Sequence, residues 1–324
     1  MRNRLATLFS VFAIAISSIG QASAADPLSS KPITIVVAYP AGGDTDQIAR
    51  VFAEKLSAKV GTPVLVENKP GATGIIGSAF VSKAAPDGHT LLLTPGSLPY
   101  AQLVLKNSPA SGYDAINGFT PILHVGNSPQ FLVANPKSGF KTFDDVVKAS
   151  KKNPVDYATA GIGGIHHIIG EVVNREANVH FIHVPYKGVA PAIADVLGGH
   201  IPMAYISLGT VKPYLSTGKL TVLAVMERER TSLAPDVPTL WEQGYKVDIN
   251  TWYGLYGPKG MDPKLVQTLN AYFNEIIKMP DVVAQMNALG AIPVGGSPDG
   301  LKTLHNNTYA QFSKIIRDLH IEAE

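Results

Sequence analysis

The chain has 324 residues, 27 Lys and Arg against 25 Asp and Glu, a formal charge of +2 and no cysteine. Without cysteine there is no disulfide, no thiol nucleophile and no thiolate metal site. The near-neutral balance argues against nucleic acid or a membrane surface as the main partner, since both select a strong basic excess.

Residues 1–24 read as a secretory signal peptide: Arg2 and Arg4, the short apolar core "LATLFSVFAIAISSI", and an A-x-A site at Ala22-Ser23-Ala24. Cleavage is expected after Ala24. Removing Arg2 and Arg4, with no acid among those residues, leaves 25 basic against 25 acidic side chains. The apolar core is too short for a membrane span, and no later segment is apolar for long enough. The roughly 300 residues that remain can bury a large core and divide into two domains.

From there strand and helix alternate. "ITIVVAY" is a buried strand, followed by a helix from Asp44 to Lys59 with Ile48, Val51, Phe52 and Leu56 on one face. "TPVLVEN" is a strand, "GIIGSAFVSKA" a small-residue helix, and "HTLLLT" a strand after the Pro86-Asp87-Gly88 turn. "TPILHVG" and "QFLVAN" are further strands. From about residue 140 the alternation restarts. A helix capped by Thr142 and Asp145 leads to the strand "VDYATA", a helix from His166 to Asn178, the strand "HFIHVPY", the helix "APAIADVLGG" and the strand "IPMAYISL". "LTVLAVM" and "NTWYGLYGP" are strands, and residues 262–318 are mostly helical.

Repeated β-α alternation implies parallel-rich sheets covered by helices on both faces. Two such runs imply two α/β lobes, with "NTWYGLYGP" returning the chain to the first. Ligands of open α/β sheets bind at the carboxyl ends of strands, so facing lobes place those loops across a cleft.

Enzyme motifs are largely absent. Gly42-Gly43 follows a strand and opens a helix, which makes an anion cradle, but it lacks G-x-G-x-x-G spacing. "KPGATGIIG" lacks the Gly-Lys-Ser/Thr of a phosphate loop, and no G-x-S-x-G elbow occurs. His180 and His183 are three apart in a strand, so they diverge, as do adjacent His166 and His167 on a helix. No metal and no cofactor is expected. Asp44 and Asp46, at a helix start, read as caps rather than an acid–base pair.

"YPAGGDTDQIAR", "VLVENKPGATGIIG", "PDGHTLLL", "YATAGIGGIHH", "HVPYKGVAPAIADVLGG" and "GKLTVLAVMERERTSLAPDVPTLWEQGY" resemble, in order, the signatures of the tripartite tricarboxylate transporter receptors, also called Bug-type extracytoplasmic solute receptors. The resemblance spans nearly all of the mature chain. It implies a two-lobed α/β periplasmic binding protein of type II, a "Venus flytrap" closing on a small carboxylate, with no catalysis. The expected lobes are residues 25–131 plus 250–324, and 132–249. The implied partners are the carboxylate and the membrane permease subunits of such a transporter, with no nucleic acid, and the protein is expected to be a monomer. A sensor domain feeding a membrane kinase differs only in its partner.

Residue by residue, the resemblance assigns ligand binding to Tyr39, Pro40, Ala41, Gly42 and Gly43 in the first loop, to Ser97 in the second, to Thr159, Ala160 and Gly161 in the second lobe, and to Ser207. Asp46 matches a residue that organises the first loop. Where the family carries small hydroxyl residues, this chain has Gly163-Gly164-Ile165-His166 before His167. His166 then either donates to the carboxylate or fills space. Family members that take amino acids tend to place an acid near Ser207, and "AYISLGT" has none, which disfavours an amino acid. Leu98, Ile162, Ile165 and Leu208 either wall an apolar ligand or are ordinary core residues. On the first reading the ligand is an aromatic acid or aromatic dicarboxylate such as terephthalate. The alternatives are a citrate-like polycarboxylate and a secreted hydrolase using Ser97 with a His–Asp pair, which no motif supports.

Overall fold

The computed structural model describes Leu28 and residues 31–104, 112–215 and 217–321; the signal-peptide stretch and its cleavage site lie outside them. The first lobe begins with β1 (Ile33–Val37), α1 (Asp44–Val60), β2 (Val64–Asn68), α2 (Ile75–Ser82), β3 (Thr90–Pro95), α3 (Ala101–Val104) and β4 (Phe119–Asn127). The second contains β5 (Gln130–Ala134), α4 (Phe143–Ser150), β6 (Val155–Thr159), α5 (Ile165–Ala177), β7 (Phe181–Pro185), α6 (Val189–Gly198), β8 (Met203–Ser207), α7 (Leu208–Leu215) and β9 (Thr221–Val225). The chain then returns through β10 (Trp252–Pro258), α8 (Pro263–Ile276), α9 (Pro280–Ala288), β11 (Ile292–Pro293) and α10 (Pro298–Asp318).

Alternation along each strand gives each sheet two buried faces. In β1, Ile33, Ile35 and Val37 pack with Ile48, Phe52 and Leu56 of α1 and with Leu269 and Phe273 of α8. Val36, one register step away, joins Ile75, Trp252 and Leu301 on the other face. The second lobe repeats this layering, with Val155 and Tyr157 of β6 on one face beside α5, and Ala158 on the other beside α6. Helix α4 starts at a capping box: Thr142 Oγ1 accepts from Asp145 N, and the Asp145 carboxylate accepts from Thr142 N.

Both sheets are parallel-rich, as expected, but each also carries antiparallel strands. The six-stranded sheet has the order β11-β4-β10-β3-β1-β2 and the five-stranded sheet the order β7-β6-β8-β5-β9. Strands joined by crossover helices are parallel, as β1 is to β2 and β3, and β6 to β7 and β8. Strand β5 enters from the first lobe and runs antiparallel to β8 and β9, while the returning β10 runs antiparallel to β3 and β4. A chain arriving from the other lobe enters a sheet without a crossover helix, so both sheets are mixed.

The chain crosses between the sheets at Ser128 and Pro129, and again between β9 and β10. Helix α10 makes a third link, with Leu301 in the first lobe's core and Phe312 and Ile316 in the second's. Phe312 stacks on Tyr100 with ring centroids 4.2 Å apart. The lobes also meet backbone to backbone. A Cβ added to Gly209, at the start of α7, would lie 2.2 Å from the carbonyl oxygen of Leu289, just after α9.

Candidate ligand-binding site

Between the lobes lies a cleft of about 710 Å³, within the range of small-molecule sites. Four helices open onto it: its walls include Gly43 and Asp44 at the start of α1, Gly164 and Ile165 at α5, Gly188 and Val189 at α6, and Ser207 and Gly209 at α7. Each contributes first-turn N–H groups that have no partner within their own helix, together with the positive end of the helix dipole. No Lys or Arg is among the described wall residues. Negative charge brought into this space therefore meets oriented amides and hydroxyls.

The first loop is set by Asp46. Its carboxylate accepts from Gly42 N at 2.9 Å, from Asn68 Nδ2 at 3.0 Å and from Arg50 Nε and Nη2, each at 3.0 Å. Although burial opposes it, these donors hold the Asp46 carboxyl below its ordinary range. Neither aspartate is the cap that the sequence implied. Gly43 occupies that position without a side-chain bond, because Asp46 reaches back to the loop and Asp44 Oδ1 takes Thr45 N. Gly42 has φ +84°, a conformation that favours glycine, whereas Gly43 has φ −73° and room for a side chain.

Tyr39, Pro40, Gly42, Gly43, Ser97, Ala160, Gly161, His166 and Ser207 all line the cleft; Ala41 and Thr159 do not. Ala41 is exposed. Thr159 is buried, and its hydroxyl donates to Gly161 O at 3.2 Å, accepts from Gly161 N at 3.3 Å and sits 2.5 Å from His183 Nε2. It shapes the loop from below. Ser97 Oγ lies 2.7 Å from Tyr39 Oη, which also donates to Thr73 O. Burial pushes the Tyr39 hydroxyl up to about 12, so it stays protonated. Ser97 thus faces a neutral phenol, with no histidine among its hydrogen-bond partners.

His166 projects from the first turn of α5, with its Nε2 2.8 Å from Gln130 Oε1. Gln130 Nε2 donates to Ser128 O at 2.7 Å and to Thr251 Oγ1 at 2.8 Å, which orients the amide and leaves Oε1 as an acceptor. His166 Nε2 is therefore the donor, and in the neutral ring Nδ1 carries a lone pair. Burial pushes the ring down to about 4, so it is neutral at physiological pH. In this form the one N–H of the neutral His166 ring is engaged by Gln130.

His167 accepts from Gly163 N through Nδ1 and stacks on His183 with ring centroids 4.0 Å apart. No group of three metal-ligating side chains occurs among the described residues. Of the four apolar candidates, Ile162 and Ile165 line the cleft, whereas Leu98 and Leu208 are buried in the packed cores of the first and second lobes. The floor instead brings Tyr100, Trp252, Tyr253 and Phe312 to the site. Ser128, Gln130, Asn250 and Thr251, at the crossings between lobes, complete it. Only their place at the ends of the crossing strands marks them in the sequence.

This arrangement is the two-lobed architecture of the periplasmic binding proteins. The profile of TctC, the tripartite tricarboxylate transporter family receptor, matches residues 48–321. The chain is 33% identical over 318 residues to BugT of Bordetella pertussis, with 97% of each chain covered. It superposes on the structure of the periplasmic binding protein BugD with a TM-score of 0.79 at 30% identity, covering 91% of this chain and 99% of that one. MatC of Rhodopseudomonas palustris with bound malate gives 0.77 at 27%, covering 89% and 99%. The chain belongs to the tripartite tricarboxylate transporter receptor family.

Proposed function

We propose that this protein is a periplasmic receptor that closes on a small organic carboxylate and delivers it to the permease of a tripartite tricarboxylate transporter. The observation that carries the reading is the meeting of four helix N-termini in one cleft whose described walls hold no Lys or Arg. Hydrogen bonds to a charged group contribute about 1.5–3 kcal/mol each, so a few amides replace one cation. The related MatC is bound to malate, a small carboxylate. The signal-peptide pattern of residues 1–24 supports export and cleavage after Ala24.

In this reading the expected lobe boundary at 131 moves back to the crossing at Ser128 and Pro129, because β5 pairs with β8 and β9 of the second lobe, and the end of α10 packs with that lobe as well. The receptor works as a monomer. The ligand is held by the loop Tyr39–Gly43, Ser97, Ala160, Gly161 and Ser207, with Thr159 and His166 supporting them. Tyr100, Trp252 and Phe312 close the cleft from beneath, each almost fully buried, and with Ile162 and Ile165 on the walls they support an aromatic acid of the terephthalate class. Citrate would bring three carboxylates to walls with few side-chain donors.

A thermal-shift screen of the mature protein against aliphatic and aromatic mono-, di- and tricarboxylates tests this. A ligand at a hundred times its Kd adds about 2.7 kcal/mol of stability. No shift with any carboxylate, together with ester turnover lost in Ser97→Ala, would replace the receptor reading with the hydrolase one.

A further inference from the structure

The two aspartates that open α1 have opposite surroundings. Asp46 is compensated by Arg50 and by amide donors, and its side chain is 3% exposed. Asp44, two residues earlier, lines the cleft, and it is the only Asp, Glu, Lys or Arg among the described wall residues. Its Oδ2 accepts from Tyr253 Oη at 2.5 Å, and its Oδ1 accepts from Thr45 N at 2.7 Å and Thr45 Oγ1 at 3.3 Å. All of these donors are neutral. No Lys, Arg or His nitrogen lies within 4.0 Å of this carboxylate among the described residues. A carboxylate offers about four acceptor positions, so at least one stays open.

We propose that Asp44 is a specificity-determining residue: it receives a cationic amine on the ligand, so the receptor takes a carboxylate with an amine at its other end in preference to the matching dicarboxylate. The proposal rests on the carboxylate-receptor reading above, keeps its aromatic-acid class, and sets an amine-bearing acid in the place that reading gave to terephthalate itself. The physical ground is charge. A negative group in a partly dehydrated cleft raises the cost of admitting a second one and lowers the cost of admitting a cation. The N-termini of α5, α6 and α7 on the facing lobe carry no acid in their first turns, which leaves them for the ligand's carboxylate. The absence of an acid beside Ser207, which spoke against an amino acid, is answered by one on the opposite wall.

The test uses mature protein freed of carried-over ligand by unfolding and refolding, and two matched pairs titrated by calorimetry. These are 4-(aminomethyl)benzoate against terephthalate and 6-aminohexanoate against adipate. In at least one pair the amine member should bind about tenfold tighter or more. Asp44→Asn keeps the size and an acceptor for Tyr253, and it should erase that gap by weakening the amine member and strengthening the dicarboxylate. The thermal midpoint of the ligand-free variant shows whether its fold is intact. Tighter binding of the dicarboxylates by the wild-type protein, or a gap unchanged in Asp44→Asn, overturns the assignment while leaving the receptor reading standing. Should none of these compounds bind, Asp44 falls as an amine reader, and the broader carboxylate screen then decides the receptor reading separately.

Discussion

The two walls of the cleft recognise charge differently. The second lobe presents three helix starts, at α5, α6 and α7, whose nearby histidine is neutral because it is buried. The first lobe presents one, at α1, where the chain's own Asp44 already occupies the Thr45 amide. One wall is therefore electropositive through its backbone alone, while the other pairs an amide cradle with a fixed negative charge. Such a cleft would orient a ligand whose two ends carry opposite charge, which two identical walls would not do.

The largest expected effect breaks the first wall. Gly43→Val places its Cβ 3.5 Å from Pro40 O, an ordinary contact, so the fold should persist while the new methyls enter the ligand's space. Overpacking of about 1–3 kcal/mol corresponds to a loss of roughly 5- to 150-fold in affinity. Calorimetry with whichever carboxylate the screen identifies measures it, and unchanged binding would place the cradle elsewhere.

The next effect separates the walls at Gly209, itself a residue of the second one. In Gly209→Val the added Cβ meets Leu289 O at 2.2 Å, so α7 and the end of α9 must move apart. Small-angle scattering should show a larger radius of gyration, and affinity should fall by about the same overpacking cost, roughly 1–3 kcal/mol. Normal affinity with unchanged scattering would mean that this contact does not limit closure.

The smallest effect concerns the second wall in acid. His166 and His183 are both pushed down to about 4 by burial, with the charge of His167 adding to the effect at His183. The ordinary value is 6.5, so between those values the unfolded chain binds protons that the folded chain refuses. Stability must fall as pH drops through this window. Glu227, raised to about 7 by burial and then by Asp248, tilts the other way: its contribution is lost as pH rises toward 7. The difference between wild type and His166→Gln isolates the histidine. Its thermal midpoint should approach that of wild type, or pass it, as pH falls from 6.5 to 4, and parallel curves would contradict the buried neutral ring.

Most elements were legible because their signals are local. The alternation in "ITIVVAY", the Thr142–Asp145 pair and the apolar face of α1 each lie within a few residues. Helix α7 was hidden by Pro213, which reads as a breaker yet sits inside its last turns. The mixed sheets were not legible, since strand direction depends on which lobe the chain arrives from. The loops of the cleft were visible as glycine turns after strands. Its floor was not, because Gln130 and Thr251 meet across 121 residues. The tautomer of His166 likewise depends on Ser128 and Thr251, which no spacing rule connects to it.

Helix α10 also fixes where the ends of the folded chain fall. Its first turns pack in one lobe and its last turns in the other, adding a third passage to the two at the strands. An odd number of passages leaves the ends on different bodies: Leu28 is buried in the first lobe's core and Ile321 in the second's. The distance between the termini is thus a direct coordinate of lobe motion. In a chain with no cysteine of its own, a donor and an acceptor dye on thiols introduced near the two ends would register ligand capture as a change in energy transfer, with the cleft left untouched.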